Sequence, residues 1–138
     1  MLAVLRAVPL LGFVLILANL LALLGEGFDT ELLKFTMTSG VDMRLDAGDL
    51  VVLSGLLLLY FEIFKATRTS NASIVDHVAS LVVFVVALIE FLLLPRFAHG
   101  AFLALLMMCL IDVVAGFTVT ISSARRDFGG PGNPPGSY

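Results

Sequence analysis

The chain has few of the residues on which several classes of protein function depend. It contains no tryptophan and one cysteine, Cys109, which lies inside an apolar stretch. A lone cysteine can form neither an internal disulfide bond nor a thiolate metal cluster. Only 14% of the 138 residues are charged, the formal net charge is -3, and Lys and Arg form no basic run. Nucleic-acid binding needs clustered basic side chains that face phosphates, so the composition argues against a nucleic-acid partner.

Sequence motifs for catalysis and cofactor binding are also missing. There is no Glu-x-x-His pair, Cys-x-x-Cys, Walker loop, nucleophile elbow or His-Glu-x-x-His motif, and no serine has an obvious base partner. His77 and His99 stand at the starts of consecutive predicted spans, hence at opposite membrane faces, where they could not hold one haem together. The sequence therefore predicts no enzymatic activity, no cofactor and no metal site.

What the chain has in abundance is apolar sequence. Hydrophobic residues make up 59% of it, and the mean hydropathy is +1.07. They occur in blocks long enough to cross a hydrocarbon core of about 30 Å, which takes about 20 helical residues. We predict an all-α integral membrane four-helix bundle in contact with the lipid bilayer. The predicted transmembrane domain is residues 1–128, with spans at about 4–24, 48–66, 74–94 and 101–121, and a flexible Gly/Pro-rich cytoplasmic tail at 129–138.

The loop between the first two spans carries a further prediction. Asp29 and Thr30 can cap a short amphipathic helix, Glu31–Met37, which Gly40 would end. We expect this helix to lie along the membrane surface.

An even number of spans places both termini on one side of the membrane, and the distribution of basic residues indicates which side. Basic residues on the cytoplasmic side usually outnumber those opposite. Both termini are therefore predicted to be cytoplasmic. The basic residues on their side are Arg6, Lys65, Arg68, Arg125 and Arg126, and those opposite are Lys34, Arg44 and Arg96.

Polar groups inside the spans are the candidate functional residues. A charged side chain at the centre of a membrane helix costs about 2.5–3.5 kcal/mol on insertion scales, so each one needs a partner or a role. Asp112 is the most informative, because it lies near the middle of the fourth span. The candidates are Asp112, Glu90, Glu62 and Asn19.

Asp112 also belongs to a stripe of mostly small or polar residues that recurs every four positions on one helix face. Small residues allow helices to approach closely, and polar residues bond across the contact. One interpretation makes the stripe the bundle interface, with Asp112 protonated or bonded to a group such as Asn19. The other gives Asp112 a transport or proton-relay role. The other members of the stripe are Gly100, Ala104, Met108, Gly116 and Thr120.

Local explanations are available for the remaining charged groups. We expect a structural ion pair between Glu90 and Arg96. Glu62 can pair with Lys65 three residues later, while the Lys65 side chain extends to the headgroups. Asp76 fits a capping box that begins at Ser73, so it is not a predicted site.

The second span carries a family resemblance in Leu57-Leu58-Leu59-Tyr60-Phe61-Glu62-Ile63-Phe64. With an acidic loop before it and two spans after it, this segment resembles the phosphate-starvation-inducible E family of small bacterial inner-membrane proteins. The four-span layout agrees over most of the chain. The resemblance implies a bacterial inner-membrane location and stress-linked expression, without an established reaction.

Three functions from different classes remain open. We favour an accessory, scaffold or stress-associated subunit that acts through helix–helix contacts, as a homo-oligomer or within a larger membrane complex. The alternative is an oligomeric proton- or ion-coupled transporter or channel that uses Asp112 and Glu90. A membrane-embedded enzyme is the least favoured, because no convergent nucleophile, base or metal ligands are visible.

Overall fold

The residues that the structure describes form four α-helices, one β-hairpin and a short 3₁₀ turn. The computed structural model describes residues 8–25, 27–66 and 71–128, with the backbone alone at residues 66, 71–74, 120 and 123–128. The helices are α1 (Leu10–Leu23), α2 (Ala47–Ala66), α3 (Asn71–Leu93) and α4 (Gly100–Phe128), and a 3₁₀ turn, Pro95–Phe97, joins the last two.

Three of the helices are long and apolar enough to cross a membrane. Their apolar windows are Ala47–Lys65 in α2, Val75–Leu93 in α3 and Gly100–Val119 in α4. The apolar α1 is shorter, at 14 residues. Four helices are thus confirmed, and span length is confirmed for the last three.

Several predicted boundaries differ from the observed ones. Pro9 is extended and stands before α1 rather than inside its first turns, since proline has no N–H to continue a helix. The third helix already includes Asn71, and the fourth continues beyond 121 to Phe128. Residues 4–7 of the first predicted span and the predicted tail, 129–138, lie outside the described residues.

The predicted surface helix Glu31–Met37 is wrong, because this segment is the first strand of a hairpin. Strands β1 (Glu31–Thr36) and β2 (Asp42–Asp46) pair in antiparallel register, with Phe35 opposite Met43. Gly40 has φ +82, a left-handed conformation that suits glycine in a three-residue hairpin loop. The expectation of an all-α chain is corrected accordingly.

The helices run alternately up and down. The start of α1 meets the end of α2 where the Leu10 N–H donates to Glu62, and Asn19 near the end of α1 meets Glu90 near the end of α3. At the opposite end of α3 from Glu90, His77 lies against Gly116 of α4. One end of the bundle therefore holds the start of α1 (the α1-start end), and the other holds the hairpin (the hairpin end).

Glycines allow α2 and α4 to approach closely. A Cβ added at Gly55 would lie 2.7 Å from Sδ of Met108, and one at Gly48 would lie 3.0 Å from Cβ of Ala101. Both glycines belong to α2, seven residues apart, so they fall on the same side of that helix. This contact makes α4 a central element, which also packs against α3.

Aromatic rings fill the hairpin end of the bundle. Phe28, which precedes the hairpin, is buried and lies near the rings of Phe97 and Phe102. Its ring also stacks on His99 at 5.1 Å between centroids. Backbone bonds from Ala47 to Thr30 and from Gly48 to Phe28 fasten the base of the hairpin to the start of α2.

Candidate functional site

Buried polar side chains from α2, α3 and α4 gather towards the α1-start end of the bundle. We call them the polar cluster, and they are Glu62, Lys65, Asp76, Ser80 and Asp112. Four of them are almost completely buried, and Lys65 is the most exposed, at 24% of its side chain. Helical spacing explains the grouping, because residues three or four apart share a face. Glu62 and Lys65 are three apart on α2, and Asp76 and Ser80 are four apart on α3.

Lys65 lies at the centre of the cluster. Its Nζ is 2.6 Å from Oε1 of Glu62 and 2.8 Å from Oδ1 of Asp76, and it donates to the carbonyl oxygen of Val8 at 3.1 Å. The predicted Glu62–Lys65 pair is therefore present. Three oxygen atoms of the protein hold the Lys65 ammonium group near the end of α2, and its extension to the headgroups stays a prediction.

Glu62 joins the start of α1 to α2. Its Oε2 accepts a hydrogen bond from the backbone N–H of Leu10 at 2.8 Å. The first N–H groups of a helix lack partners within that helix, and a carboxylate there also interacts favourably with the helix dipole. Pro9 has no side-chain cap to offer, so Glu62 supplies one from a neighbouring helix.

Asp112 brings α4 into the polar cluster. Its carboxylate accepts a hydrogen bond from the hydroxyl of Ser80, and it interacts electrostatically with Asp76 and Lys65. The predicted partner Asn19 is wrong for Asp112, because Asn19 lies towards the other end of α1. Three carboxylates thus surround a single lysine, and the four groups would carry a charge of -2 if all were ionised.

A second polar contact lies towards the hairpin end. Nδ2 of Asn19 donates to both carboxylate oxygens of Glu90, at 3.1 and 3.0 Å, and to the carbonyl oxygen of Leu15 at 3.0 Å. The predicted pair between Glu90 and Arg96 is absent from this described region. Arg96 lies in the 3₁₀ turn beyond the end of α3 and is exposed, whereas Asn19 faces Glu90 directly.

The two polar regions are well separated. Asp76 and Glu90 are 14 positions apart on α3, which is about 21 Å of helix at about 1.5 Å per residue. Phe91, next to Glu90, stacks on Phe102, ten residues before Asp112 on α4. The structure therefore does not bring Asp112 and Glu90 to one place within the chain.

The predicted stripe on α4 is partly buried. Met108, Asp112 and Gly116 are buried against α2 and α3, Ala104 is half-buried, and Gly100 at the helix start is exposed. Gly116 lies directly under the ring of His77, where an added Cβ would be 2.5 Å from Nδ1. The side chain of Thr120 lies outside the described residues.

The histidines occupy opposite ends of the bundle. His77 is buried between Gly116 and Phe117, while Nε2 of His99 is 3.2 Å from Oδ1 of exposed Asp29. No group of three or more His, Cys, Asp or Glu residues in the described part of the chain is arranged to hold a metal ion.

Sequence reasoning missed Asp76 and Ser80 as members of the site. The capping-box prediction for Asp76 is wrong, because α3 includes Asn71 and Ser73 is thus not the residue before the helix. The sequence did contain a signal for this pair. Asp76 and Ser80 are four residues apart in a helix whose other face is apolar. That spacing places both side chains on the face turned towards the bundle.

Comparison with known proteins adds no relative to this description. No protein-family model, curated protein or solved structure matches the chain. The resemblance of residues 57–64 to the phosphate-starvation-inducible E family stays a prediction.

Proposed function

We propose that this chain is an integral protein of the bacterial inner membrane that acts as an accessory or scaffold subunit through helix–helix contacts. The observation that carries the membrane location is an inverted distribution of polarity. Glu62 and Asp112 are 1% and 5% exposed, whereas Leu57 on the outer face of α2 is 58% exposed. A protein in water exposes charged side chains and buries apolar ones. A protein in lipid exposes apolar side chains and buries charged ones, as this chain does.

The proposed orientation of the bundle follows the distribution of its basic residues. By sequence position, five Lys and Arg residues belong to the side of the termini and three to the side of the hairpin. Because cytoplasmic loops carry the excess of Lys and Arg, both termini are cytoplasmic and the hairpin is periplasmic in this proposal.

The polar cluster supports a structural role rather than a catalytic one. Glu62 and Lys65 bond to the backbone of Leu10 and Val8, and Asp112 bonds to Ser80. Together with the pair between Lys65 and Asp76, which links α2 to α3, these bonds connect the four helices in series. The surfaces left for other molecules are apolar helix faces, which suit lateral contacts with other membrane helices.

One of these faces has the shape of a groove. It lies between α1 and α3, has a volume of about 310 Å³, and is lined by apolar side chains that include Phe13, Ile16 and Val82. Gly12 also lines it. We propose that a helix of the partner packs here, since an apolar lining that includes a glycine allows close approach of a membrane helix.

Gentle extraction from the native membrane followed by native mass spectrometry tests the accessory function. We expect a complex with a second membrane protein. Ile16→Trp, which fills the groove, should release that partner, and Leu57→Trp on the outer face of α2 should retain it. A pure homo-oligomer in every preparation would contradict the accessory function, and equal retention by both variants would contradict the groove.

The excess of carboxylates over cations in the polar cluster favours a second candidate, proton-coupled transport. Three carboxylates around Lys65 give the cluster a place for an exchangeable proton. In vesicles containing a pH-sensitive dye, Asp112→Asn should abolish proton flux, whereas Glu90→Gln, in the distant polar contact, should not. Absence of flux from the native chain, or its survival in Asp112→Asn, would remove this candidate.

A further inference from the structure

The hairpin has one apolar face that the chain itself leaves uncovered. Its register places Leu33 opposite Leu45 and Phe35 opposite Met43, and directly opposed residues of antiparallel strands share a face. Met37 and Val41, joined by a backbone hydrogen bond beside the loop, continue the same row. Phe35 is 46% exposed and Val41 is 61% exposed.

The other face of the hairpin is polar and internally paired. Lys34 lies opposite Arg44, and Thr36 lies opposite Asp42. Nζ of Lys34 is 3.0 Å from Oδ2 of Asp42, and Nε of Arg44 is 3.7 Å from Oε2 of Glu31. A hairpin with one apolar and one charged face suits a boundary between an apolar phase and water.

The position of the hairpin is fixed relative to the helix ends. Strand β2 ends at Asp46, immediately before α2 begins at Ala47. Asp46 and Asp49 exchange reciprocal hydrogen bonds between carboxylate and backbone N–H, at 2.8 and 3.1 Å, which is the geometry of a capping box. No residue separates β2 from α2, so this junction holds the hairpin at the end of the apolar helices.

We propose that the apolar face of the hairpin lies in the headgroup–acyl boundary of the leaflet around the hairpin end, with Lys34 and Arg44 turned towards the headgroups and water. This inference rests on the membrane location proposed above. An amphipathic element of this kind enters the boundary by about 5–10 Å. The charged side chains of the hairpin are of both signs, with Lys34 and Arg44 against Glu31, Asp42 and Asp46. Apolar insertion, rather than attraction to anionic lipid, therefore supplies the binding.

Single-tryptophan fluorescence tests the proposal in the full chain, because the native sequence contains no tryptophan. Phe35→Trp and Lys34→Trp place the probe on adjacent residues and opposite faces, and Leu57→Trp places it on the outer face of α2. Each variant is reconstituted into phosphatidylcholine vesicles, with or without brominated lipid. Quenching by brominated lipid reports contact with acyl chains, and quenching by acrylamide reports contact with water.

We expect brominated lipid to quench Phe35→Trp with a blue-shifted emission, and acrylamide to quench Lys34→Trp. If Phe35→Trp is quenched by acrylamide alone, the face lies in water and the proposal is overturned. If neither quencher reaches Phe35→Trp, another protein, such as a second copy of the chain, covers this face. That result would also overturn the proposal. Failure of brominated lipid to quench Leu57→Trp would instead contradict the membrane location itself.

Discussion

At the scale of single residues, Lys65 connects three parts of the described bundle. It neutralises part of the charge of Glu62 and Asp76 and also binds the carbonyl oxygen of Val8. Two carboxylates and the start of α1 therefore depend on one ammonium group. Removing one partner of a buried ion pair costs more than the pair contributes, because an uncompensated charge stays behind.

Lys65→Met should destabilise the protein by about 3 kcal/mol, at the lower end of the range for buried pairs, because the Lys65 side chain is 24% exposed. Lys34→Met is the matched control. Its pair with Asp42 is exposed on the hairpin, so its removal should cost much less, because solvent screens exposed ion pairs. Denaturant-induced unfolding in detergent micelles measures both. Equal losses for the two variants would show that Lys65 does not hold the cluster together.

The pKa of Asp42 tests the hydrogen bonding on the polar face of the hairpin. The hydroxyl of Thr36, at 2.8 Å, and the ammonium group of Lys34 lower the pKa of Asp42 below its ordinary value. A carboxyl group whose pKa is lowered in the folded state stabilises that state at pH values above its ordinary pKa. This stabilisation is lost as the pH falls through the lowered, folded-state pKa.

Thr36→Val should therefore raise the pKa of Asp42 towards its ordinary value, which an NMR pH titration of the Asp42 carboxyl carbon measures. Thr38→Val, in the hairpin loop, should leave that pKa unchanged. An unchanged pKa in Thr36→Val would mean that the hydroxyl does not donate to Asp42 in solution.

At the scale of elements, glycines set how closely the helices pack. Gly116 of α4 supports the buried ring of His77, and Gly55 of α2 accommodates Met108. A methionine side chain can rearrange around an added methyl group more easily than a buried imidazole ring can. The two glycines therefore differ in how much a side chain there would cost.

Gly116→Ala should destabilise the bundle by about 1–3 kcal/mol, the usual cost of overpacking, because its Cβ would lie 2.5 Å from Nδ1 of His77. Gly100→Ala is the control on the same helix. Nothing lies within 4 Å of its added Cβ, so the change should be neutral or stabilising by up to about 1 kcal/mol through helix propensity. Thermal unfolding of the two variants in detergent compares them. A neutral Gly116→Ala would mean that α3 and α4 are not in close contact there.

The sequence predicted helices correctly wherever an apolar stretch is long enough to cross a membrane. The existence of α2, α3 and α4 follows from long, mainly apolar stretches, and Pro95 follows the end of α3. The hairpin was not predicted, although Leu33, Phe35 and Met37 alternate with polar residues before the loop and Val41, Met43 and Leu45 alternate after it. That period of two around a glycine-containing turn is the signal of a hairpin, and the apparent helix cap at Asp29 and Thr30 obscured it.

The sequence predicted which polar side chains lie inside the spans, where burying a charge is costly, but it did not predict how they are arranged. Asp112 and Glu62 stand out because charge inside a span needs a partner. Lys65 was predicted as the partner of Glu62 from their spacing on one helix, and it is present. The partners on other helices, Ser80 for Asp112 and Asn19 for Glu90, were not predicted, because the sequence does not show which faces of separate helices meet. Tertiary packing, rather than spacing along the chain, decides which buried groups meet.

At the scale of the whole molecule, the bundle has two different ends joined by an apolar middle. The polar cluster fixes the start of α1 at one end, and the aromatic rings around Phe28 close the other, beside the hairpin. Although α1 has only 14 residues, about 21 Å of helix, it reaches from the polar cluster to the contact between Asn19 and Glu90. The membrane proposal therefore requires α1 to follow the other helices across most of the bilayer.

Cysteine labelling tests that arrangement directly. Cys109 is the only cysteine and is buried, so Cys109→Ala provides a background for single cysteines. Ser39→Cys at the hairpin tip should react with a membrane-impermeant maleimide in intact spheroplasts. Ser122→Cys near the end of α4, and Ala3→Cys, should react only in inverted vesicles. Three crossings separate Ser122 from the hairpin and one separates Ala3 from it, and an odd number of crossings places both on the side opposite the hairpin. If Ser39 and Ser122 are labelled from the same side, α2, α3 and α4 do not all cross. If Ala3 is labelled together with Ser39, α1 lies against the bundle without crossing, and the number of spans is three.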